Sequence, residues 1–376
     1  MFKILEKQTL APKVEMMVIQ APYIARHAKV GNFIVLRLNK KGERIPLTIA
    51  DSDRDKGTIT ILFQRVGKTT ESLGMLNAGD KIQDVVGPLG HATPIEIYGN
   101  CVLVAGGIGA ATLYPIIKAL KAINTSHGVI KDKENVIARS PETPACRQTG
   151  RDDEAIPKDE IALLEPALSE KDEILRGVYP EQKDEILRFA QNDMRRAQND
   201  RSEGARNDRK MAFSEQSYNH ITVIMGARTK ELLIWEDKFR QFADECFVTT
   251  DDGSYGRKGL VTDVLKEVVE SKSIALAVAV GPVRMMKAVS ELTKPYAVKT
   301  IVSLNPLMVE GTGMCGACRV KIAGETRFAC IDGPEFDGHD VDFQELESRL
   351  RFYKEEEEQA LHLFLTRTKR QVTSNG

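Results

Sequence analysis

The run CVLVAGGIGAATLYPIIKALKAI, Cys101 to Ile123, constrains the architecture more than any other part of the chain. CVLVA is a continuous apolar strand suited to burial on both faces of a parallel sheet, and TLYPIIKALKAI carries apolar residues at helical spacing. Between them AGGIGAA, Ala105 to Ala111, offers glycines that let the backbone approach a pyrophosphate and a helix start with unpaired N–H groups. Strand, glycine turn and helix in that order open a nucleotide-binding α/β domain. The spelling is G-G-x-G-x-A, so the loop alone also fits a turn that serves only packing.

The surrounding chain extends the pattern. HITVIMGAR, CFVTT, IALAVAVG and KTIVSL read as further strands, with LVTDVLKEVVE and PVRMMKAVSELTK as helices between them, giving about five parallel strands. The segment ELLIWEDKFRQFA also has helical spacing. Loops at the C-ends of such strands bind ligands, which makes Gly106, Gly107, Gly109 and Ala110 candidates for a dinucleotide site. Gly226, Arg228, Asp252, Gly253, Gly281, Pro282 and Met285 join them from the later loops. From Met1 to about Gly99 the runs are short, β-branched and broken by Gly, Pro, Asn and Asp, as in an antiparallel β-barrel.

The second strand of the α/β domain is expected within a few residues of the first helix, yet it begins only at His220. An insertion from about Asn124 to Asn219 is charged, poor in aromatics and repetitive, with KDEILRGV returning as KDEILRFA. It reads as a weakly helical or disordered excursion, with a helical docking arm as the rival reading, and Cys146 within it as a bystander. It joins a helix C-end to a strand N-end, on the side of the sheet away from the ligand crevice.

A chain of 376 residues, 42% hydrophobic and 28% charged, suits two or three globular domains. Lys plus Arg is 53 against 54 for Asp plus Glu, which gives no basic surplus for a nucleic-acid partner. No apolar run reaches membrane-spanning length and the N-terminus alternates as a strand, so the expected location is the cytoplasm.

In the barrel, ERIPLT and QRVGKTTESL place Arg, Lys and hydroxyl residues beside turns, a composition that suits phosphate and a flavin ring edge. Thr70 equally well caps a helix beginning ESLGML. The cysteine loop VEGTGMCGACRVK is sharper. Glu310, Cys315, Cys318 and Cys330 read E-x4-C-x2-C-x11-C, against the C-x4-C-x2-C plus distant Cys of plant-type [2Fe-2S] loops. Gly311, Gly313 and Gly316 relieve the chain where it would wrap around inorganic sulfide. Zinc is the alternative metal, but structural zinc takes Cys and His, and the nearest His is His339, nine residues past Cys330.

Taken together, IPLT, VGKTT, VAGGIGAA, TDDGSYGRKG, AVGPVRMM and SLNPLMVEGTGMCGACRVKIAGETRFACIDGPEFDGH resemble the ferredoxin–NADP reductase superfamily. Within it they are similar to the electron-transfer subunits of dihydroorotate dehydrogenase and to the small subunits of NADH-dependent ferredoxin:NADP oxidoreductases. The resemblance covers nearly everything outside residues 124–219. It implies an FAD-binding barrel over 1–99, an NAD(P)-binding α/β domain over 100–304, a [2Fe-2S] domain over 305–345 and a charged helical tail over 346–376.

By the same resemblance, Pro46, Leu47 and Thr48 would line the flavin, with Arg44 one position earlier than the Arg that directly precedes Pro in the dihydroorotate-type pattern. Phe63, Gln64, Arg65, Thr69 and Thr70 would hold its ribityl and phosphate portion, Thr69-Thr70 standing where that branch often has Gly-Thr. Glu310 stands where the dihydroorotate type has cysteine and the ferredoxin:NADP type a carboxylate, usually Asp.

The implied function is electron transfer between NAD(H) or NADP(H), FAD and a [2Fe-2S] cluster, then to a large partner subunit that carries its own FAD and [4Fe-4S] clusters, with ferredoxin as a further partner. No catalytic acid or base is required, because the protein supplies placement and redox tuning. Alternatives are a dihydroorotate-type subunit, a stand-alone ferredoxin or flavin reductase, and a redox-inactive scaffold.

Overall fold

The computed structural model describes the backbone of residues 1–137 and 218–374, and the side chains of 1–124 and 218–367. The expected insertion core, its repeats and Cys146 lie outside the described residues.

The N-terminal part forms a seven-stranded antiparallel barrel sheet. Its strands are β1 (Phe2–Ala11), β2 (Val14–Gln20), β3 (Phe33–Arg37), β4 (Arg44–Asp53), β5 (Thr58–Gln64), β6 (Lys81–Ile82) and β7 (Asp84–Leu89), in the order β6-β1-β2-β5-β4-β3-β7. Ile4, Met17, Ile19, Ile34, Leu36, Ile59, Ile61 and Phe63 fill its interior at 1% exposure or less. Each such side chain contributes roughly 1.5–3 kcal/mol of burial. Helices α1 (Pro22–His27) and α2 (Lys68–Gly74) close its ends.

The second sheet contains β8 (Asn100–Gly106), β9 (His220–Ala227), β10 (Glu245–Thr250), β12 (Leu276–Val280) and β13 (Lys299–Ser303) as parallel neighbours in the order β10-β9-β8-β12-β13. This is the doubly wound order, with its switch point between β8 and β12. Alternate residues of β8 explain why its sequence is apolar throughout. Val102 and Val104 pack against Val264, Leu265 and Met286 on one face, while Cys101, Leu103 and Ala105 pack against Leu113, Ile117 and Phe239 on the other. The helices are α3 (Ala110–Ile137), α4 (Glu236–Arg240), α5 (Val261–Ser271) and α6 (Val283–Thr293). The segment ELLIWEDKFRQFA is thus only partly α-helical: Trp235 sits at φ 61 and splits it into a 3-10 turn, Lys230–Leu232, and the short α4.

Two short strands complete this sheet: β11 (Arg257–Lys258) beside β10, and β16 (Glu335–Asp337) antiparallel to β13. Ser303 faces Glu335 in that ladder and Leu304 N–H donates to Pro334 O at 2.9 Å. The cysteine arm is therefore an excursion whose two ends are paired at the sheet edge. Inside it, β14 (Arg319–Ile322) and β15 (Glu325–Phe328) form a hairpin, and α7 (Phe343–Leu350) covers it through buried Phe343 and Leu346. A charged helix with an acidic first turn, α8 (Lys354–Ser374), follows. Among the described residues no helix is long and apolar enough to cross a membrane.

The ends of the expected insertion are pinned together. Asn219 N–H donates to Asn124 Oδ1 at 2.7 Å and Asn124 Nδ2 returns a bond to Asn219 O at 2.8 Å. Fully buried Asn219 also accepts from Tyr98 N–H at 2.7 Å and donates to Glu96 O at 2.9 Å.

Candidate functional site

A cleft of about 930 Å³ opens at the switch point, between the barrel and the C-ends of the parallel strands. That volume accommodates a large cofactor. Its barrel wall is Ile45, Pro46, Leu47, Thr48, Phe63 and Gln64, from the cross-strand neighbours β4 and β5, together with Thr70. Its sheet wall contains Gly106, Gly107, Gly109, Gly226, Arg228, Gly281, Pro282 and Met285. The Thr112 hydroxyl donates to Thr48 Oγ1 at 3.2 Å and Lys118 Nζ lies 2.9 Å from Asp51, which ties the two walls together.

The glycines are required by sterics. A Cβ on Gly109 would fall 2.1 Å from Val280 O, and one on Gly106 would fall 2.6 Å from Met285 Sδ and 2.8 Å from Pro282 Cδ. The β8 turn and the β12 loop therefore approach backbone to backbone, leaving the cleft floor smooth and its N–H groups reachable.

Of the residues expected to bind cofactor, six lie outside this lining. Arg44 is exposed at the start of β4. Arg65 is paired with Glu71 at 2.6 Å and Glu15 at 3.6 Å, and the Glu71 hydrogen bond holds its guanidinium even more firmly charged than usual. Thr69 donates to Glu43 at 2.5 Å. Ala110 is buried in the core against β8. Asp252 accepts from Ser254 N–H and Oγ at 2.9 and 2.7 Å, bonds that hold its carboxyl below the usual range, and Gly253 turns the same loop. The neighbouring Asp251 lines the cleft instead. Thr70 lines the cleft but is not the cap expected before ESLGML: α2 begins at Lys68 with Gly67 as its N-cap, and Thr70, at the third helical position, accepts from Gly67 N–H at 3.0 Å.

A third wall escaped sequence reasoning. Ser303, Leu304, Asn305, Met308 and Pro334 face the cleft from the run that enters and leaves the cysteine arm. Its signal was present, since SLNPLM follows the C-end of a parallel strand, the position where such sheets bind ligands.

In the arm, Cys318 and Cys330 are 2% exposed and their sulfurs are 3.1 Å apart, Cys318 donating to Cys330. Burial, reinforced by that hydrogen bond, pushes the Cys330 thiol up to about 12. Cys315 is exposed and Glu310 is half-buried. Among the described residues, no three His, Cys, Asp or Glu side chains are yet grouped as around a metal ion. The donor chemistry nevertheless fits iron: two facing thiols, a third on the same loop, and Gly311, Gly313 and Gly316 at φ 79, 82 and 64 bending the chain around them. His339 is engaged elsewhere, with Nε2 3.1 Å from Thr293 Oγ1 and Nδ1 3.5 Å from Asp337.

The arm is docked on the barrel. A Cβ on Gly311 would fall 2.7 Å from Leu89 Cδ1, His91 N–H donates to Gly333 O at 2.7 Å, and Thr93 Oγ1 donates to Glu335 at 2.7 Å. Burial raises the Glu335 carboxyl above its ordinary value, opposed only by that hydrogen bond.

An antiparallel barrel, a doubly wound parallel sheet and a cysteine arm meeting at one cleft define an oxidoreductase of the ferredoxin–NADP reductase superfamily. Residues 305–342 match the iron–sulfur cluster binding domain of dihydroorotate dehydrogenase B. A Thermotoga maritima protein described as a homolog of the electron transfer subunit of dihydroorotate dehydrogenase B (NAD(+)) is 36% identical over 96% of this chain and 95% of its own length. A Clostridium beijerinckii protein of undescribed function is 38% identical over 96% of this chain and 93% of its own. Among solved structures, a chain of an NADH-dependent reduced ferredoxin-NADP oxidoreductase, studied for flavin-based electron bifurcation, superposes with a TM-score of 0.68 at 36% identity over 96% and 97% of the two chains. The chain belongs to the family of dihydroorotate dehydrogenase B electron transfer subunits and their homologues.

Proposed function

We propose that this chain is the small subunit of a cytoplasmic ferredoxin:NADP oxidoreductase-type complex, moving electrons between NAD(P)H, FAD, a [2Fe-2S] cluster and a large partner subunit. The observation that carries the reading is the shared wall. Ser303 to Met308 lines the cleft and runs directly into Glu310 and the cysteines, so a flavin and a cluster would be joined by one short segment.

Bound FAD would supply the chemistry, accepting a hydride and releasing electrons singly. The chain's own residues perform placement. Pro46, Leu47 and Phe63 form an apolar seat that excludes water, and Thr48, held by Thr112, presents a hydroxyl to the ring edge. The close-packed turns at Gly106 and Gly281, with Gly107 open beside them, would hold the nicotinamide nucleotide along the opposite wall, and Arg228 would offer it a cation. Cys315, Cys318, Cys330 and Glu310 would hold the [2Fe-2S] cluster; Glu310 as the fourth ligand favours the ferredoxin:NADP branch, whose partner carries FAD and [4Fe-4S] clusters and exchanges electrons with ferredoxin. The same reading divides the chain at residues 99, 304 and 345, with a charged helical tail beyond.

Anaerobically purified protein should show a flavin band, about two irons per chain and the EPR signal of a reduced [2Fe-2S] centre. Absence of both flavin and iron would overturn the reading. Titration of the complex with NADH and NADPH assigns the nucleotide, and co-purification decides the branch. A dihydroorotate-oxidising partner would replace the ferredoxin:NADP assignment with the second reading, which the family match at residues 305–342 supports.

A further inference from the structure

We propose that Glu43 is an anionic competitor beside one end of the cleft, setting how tightly the phosphates of a bound flavin are held. The proposal rests on the flavin reading above and concerns the turn QRVGKTTESL, Gln64 to Leu73, where Val66 and Thr70 line the cleft. A phosphate arriving at this turn would seek its cations and its hydroxyl donors.

Each cation of that turn already faces a carboxylate. Arg65 is held by Glu71 at 2.6 Å and Glu15 at 3.6 Å, and Lys68 Nζ lies 3.6 Å from Glu43 Oε1. The hydroxyl of buried Thr69 donates to Glu43 Oε2 at 2.5 Å. The carboxylates differ in one respect. Glu15 and Glu71 are 3% and 7% exposed and are fixed in place, whereas the Glu43 side chain is 59% exposed and only two residues from Ile45 in the cleft wall.

An exposed carboxylate in a solvated ion pair is held weakly and can rotate away. Glu43 therefore occupies the donors that a phosphate would take and is the one acid of the group able to yield them. Binding must either displace it from Lys68 and Thr69 or place two anions side by side, and both oppose phosphate specifically. A flavin ring seated on Pro46, Leu47 and Phe63 would carry no phosphate to this exchange and would be indifferent to it.

The test is titration of riboflavin, FMN and FAD into flavin-stripped full-length protein, followed by flavin fluorescence at low and high salt. In Glu43→Gln, which keeps shape and removes charge, FAD affinity should rise about fivefold at low salt, the size of an exposed ion-pair effect, and the gain should shrink at high salt. FMN should gain too, riboflavin should not change, and Glu43→Asp should stay near wild type. Unchanged or weaker FAD binding in Glu43→Gln, or an equal gain for riboflavin, overturns the proposal. Wild-type protein that binds none of the three flavins overturns the flavin reading and this inference with it.

Discussion

The cleft and the cysteine arm meet at Met308, and they are held together by different means. Cleft walls are sheet: Pro46 to Thr48 are fixed by strand pairing with β3, and the glycine turns by backbone contacts such as Gly109 against Val280. The arm owes its path to paired ends, to glycines at positive φ and to two buried thiols, while Cys315 and Glu310 sit on loop. Packing sets the first site, where an added Cβ at Gly109 would meet backbone at 2.1 Å. In the second, ligand bonds to a metal would complete what the backbone begins.

Substitution at the packed site should have the largest effect. Gly109→Ala places a methyl 2.1 Å from a backbone oxygen, and neither strand nor turn can yield without moving the sheet. It should cost about 3 kcal/mol, the upper range for overpacking, and abolish flavin retention. Calorimetry and the flavin absorbance of purified protein check this; a variant with wild-type melting and full flavin would mean that the cleft floor is not set by this contact.

The converse substitution is Cys330→Ser. Iron should be lost while flavin content stays near wild type, because the barrel and sheet walls of the cleft are held by strand pairing and glycine-turn contacts. Iron and flavin analyses on the same sample test the separation, and parallel loss of both would dissolve the distinction between the two regions. Glu310→Cys should act more gently, keeping the iron and moving the potential of the centre by tens of millivolts, as a change of ligand donor does. Redox titration followed by EPR reads it out, and an identical potential and spectrum would remove Glu310 from the ligand set.

The same division explains what was legible in the sequence. The parallel strands announce themselves because burial on both faces leaves no polar position, as in CVLVA, and the glycine turns because their sterics admit little else. The break in that pattern predicts an insertion from about Asn124 to Asn219, and these two residues bond to each other. The third wall at Ser303, Leu304, Asn305 and Met308 was legible only through its place after a parallel strand, whereas the return of β16 to the sheet edge and the capture of Thr69 by Glu43 were not legible. Each joins residues far apart in the chain, and local periodicity carries no record of such contacts. Trp235 failed for the opposite reason: its segment has helical spacing, but tertiary packing places it at φ 61.

The smallest effect lies where the two regions touch. Glu335 belongs to the arm and accepts from Thr93 beside the barrel, and burial raises its carboxyl above the ordinary value. The folded chain therefore holds this proton at pH values where the unfolded chain has released it. The cost of burying this carboxyl is absent below the ordinary carboxylate value and grows as pH rises through the raised one, where stability is lost. Glu335→Gln keeps an oxygen for Thr93 and has no proton to lose, so its melting temperature should fall less than that of the wild type over this interval. The two proteins should be closest in acid and furthest apart at neutral pH. Parallel melting curves across the range would show that the arm's contact with the barrel does not depend on this carboxyl, and would leave His91 and Gly333 to hold the two regions together.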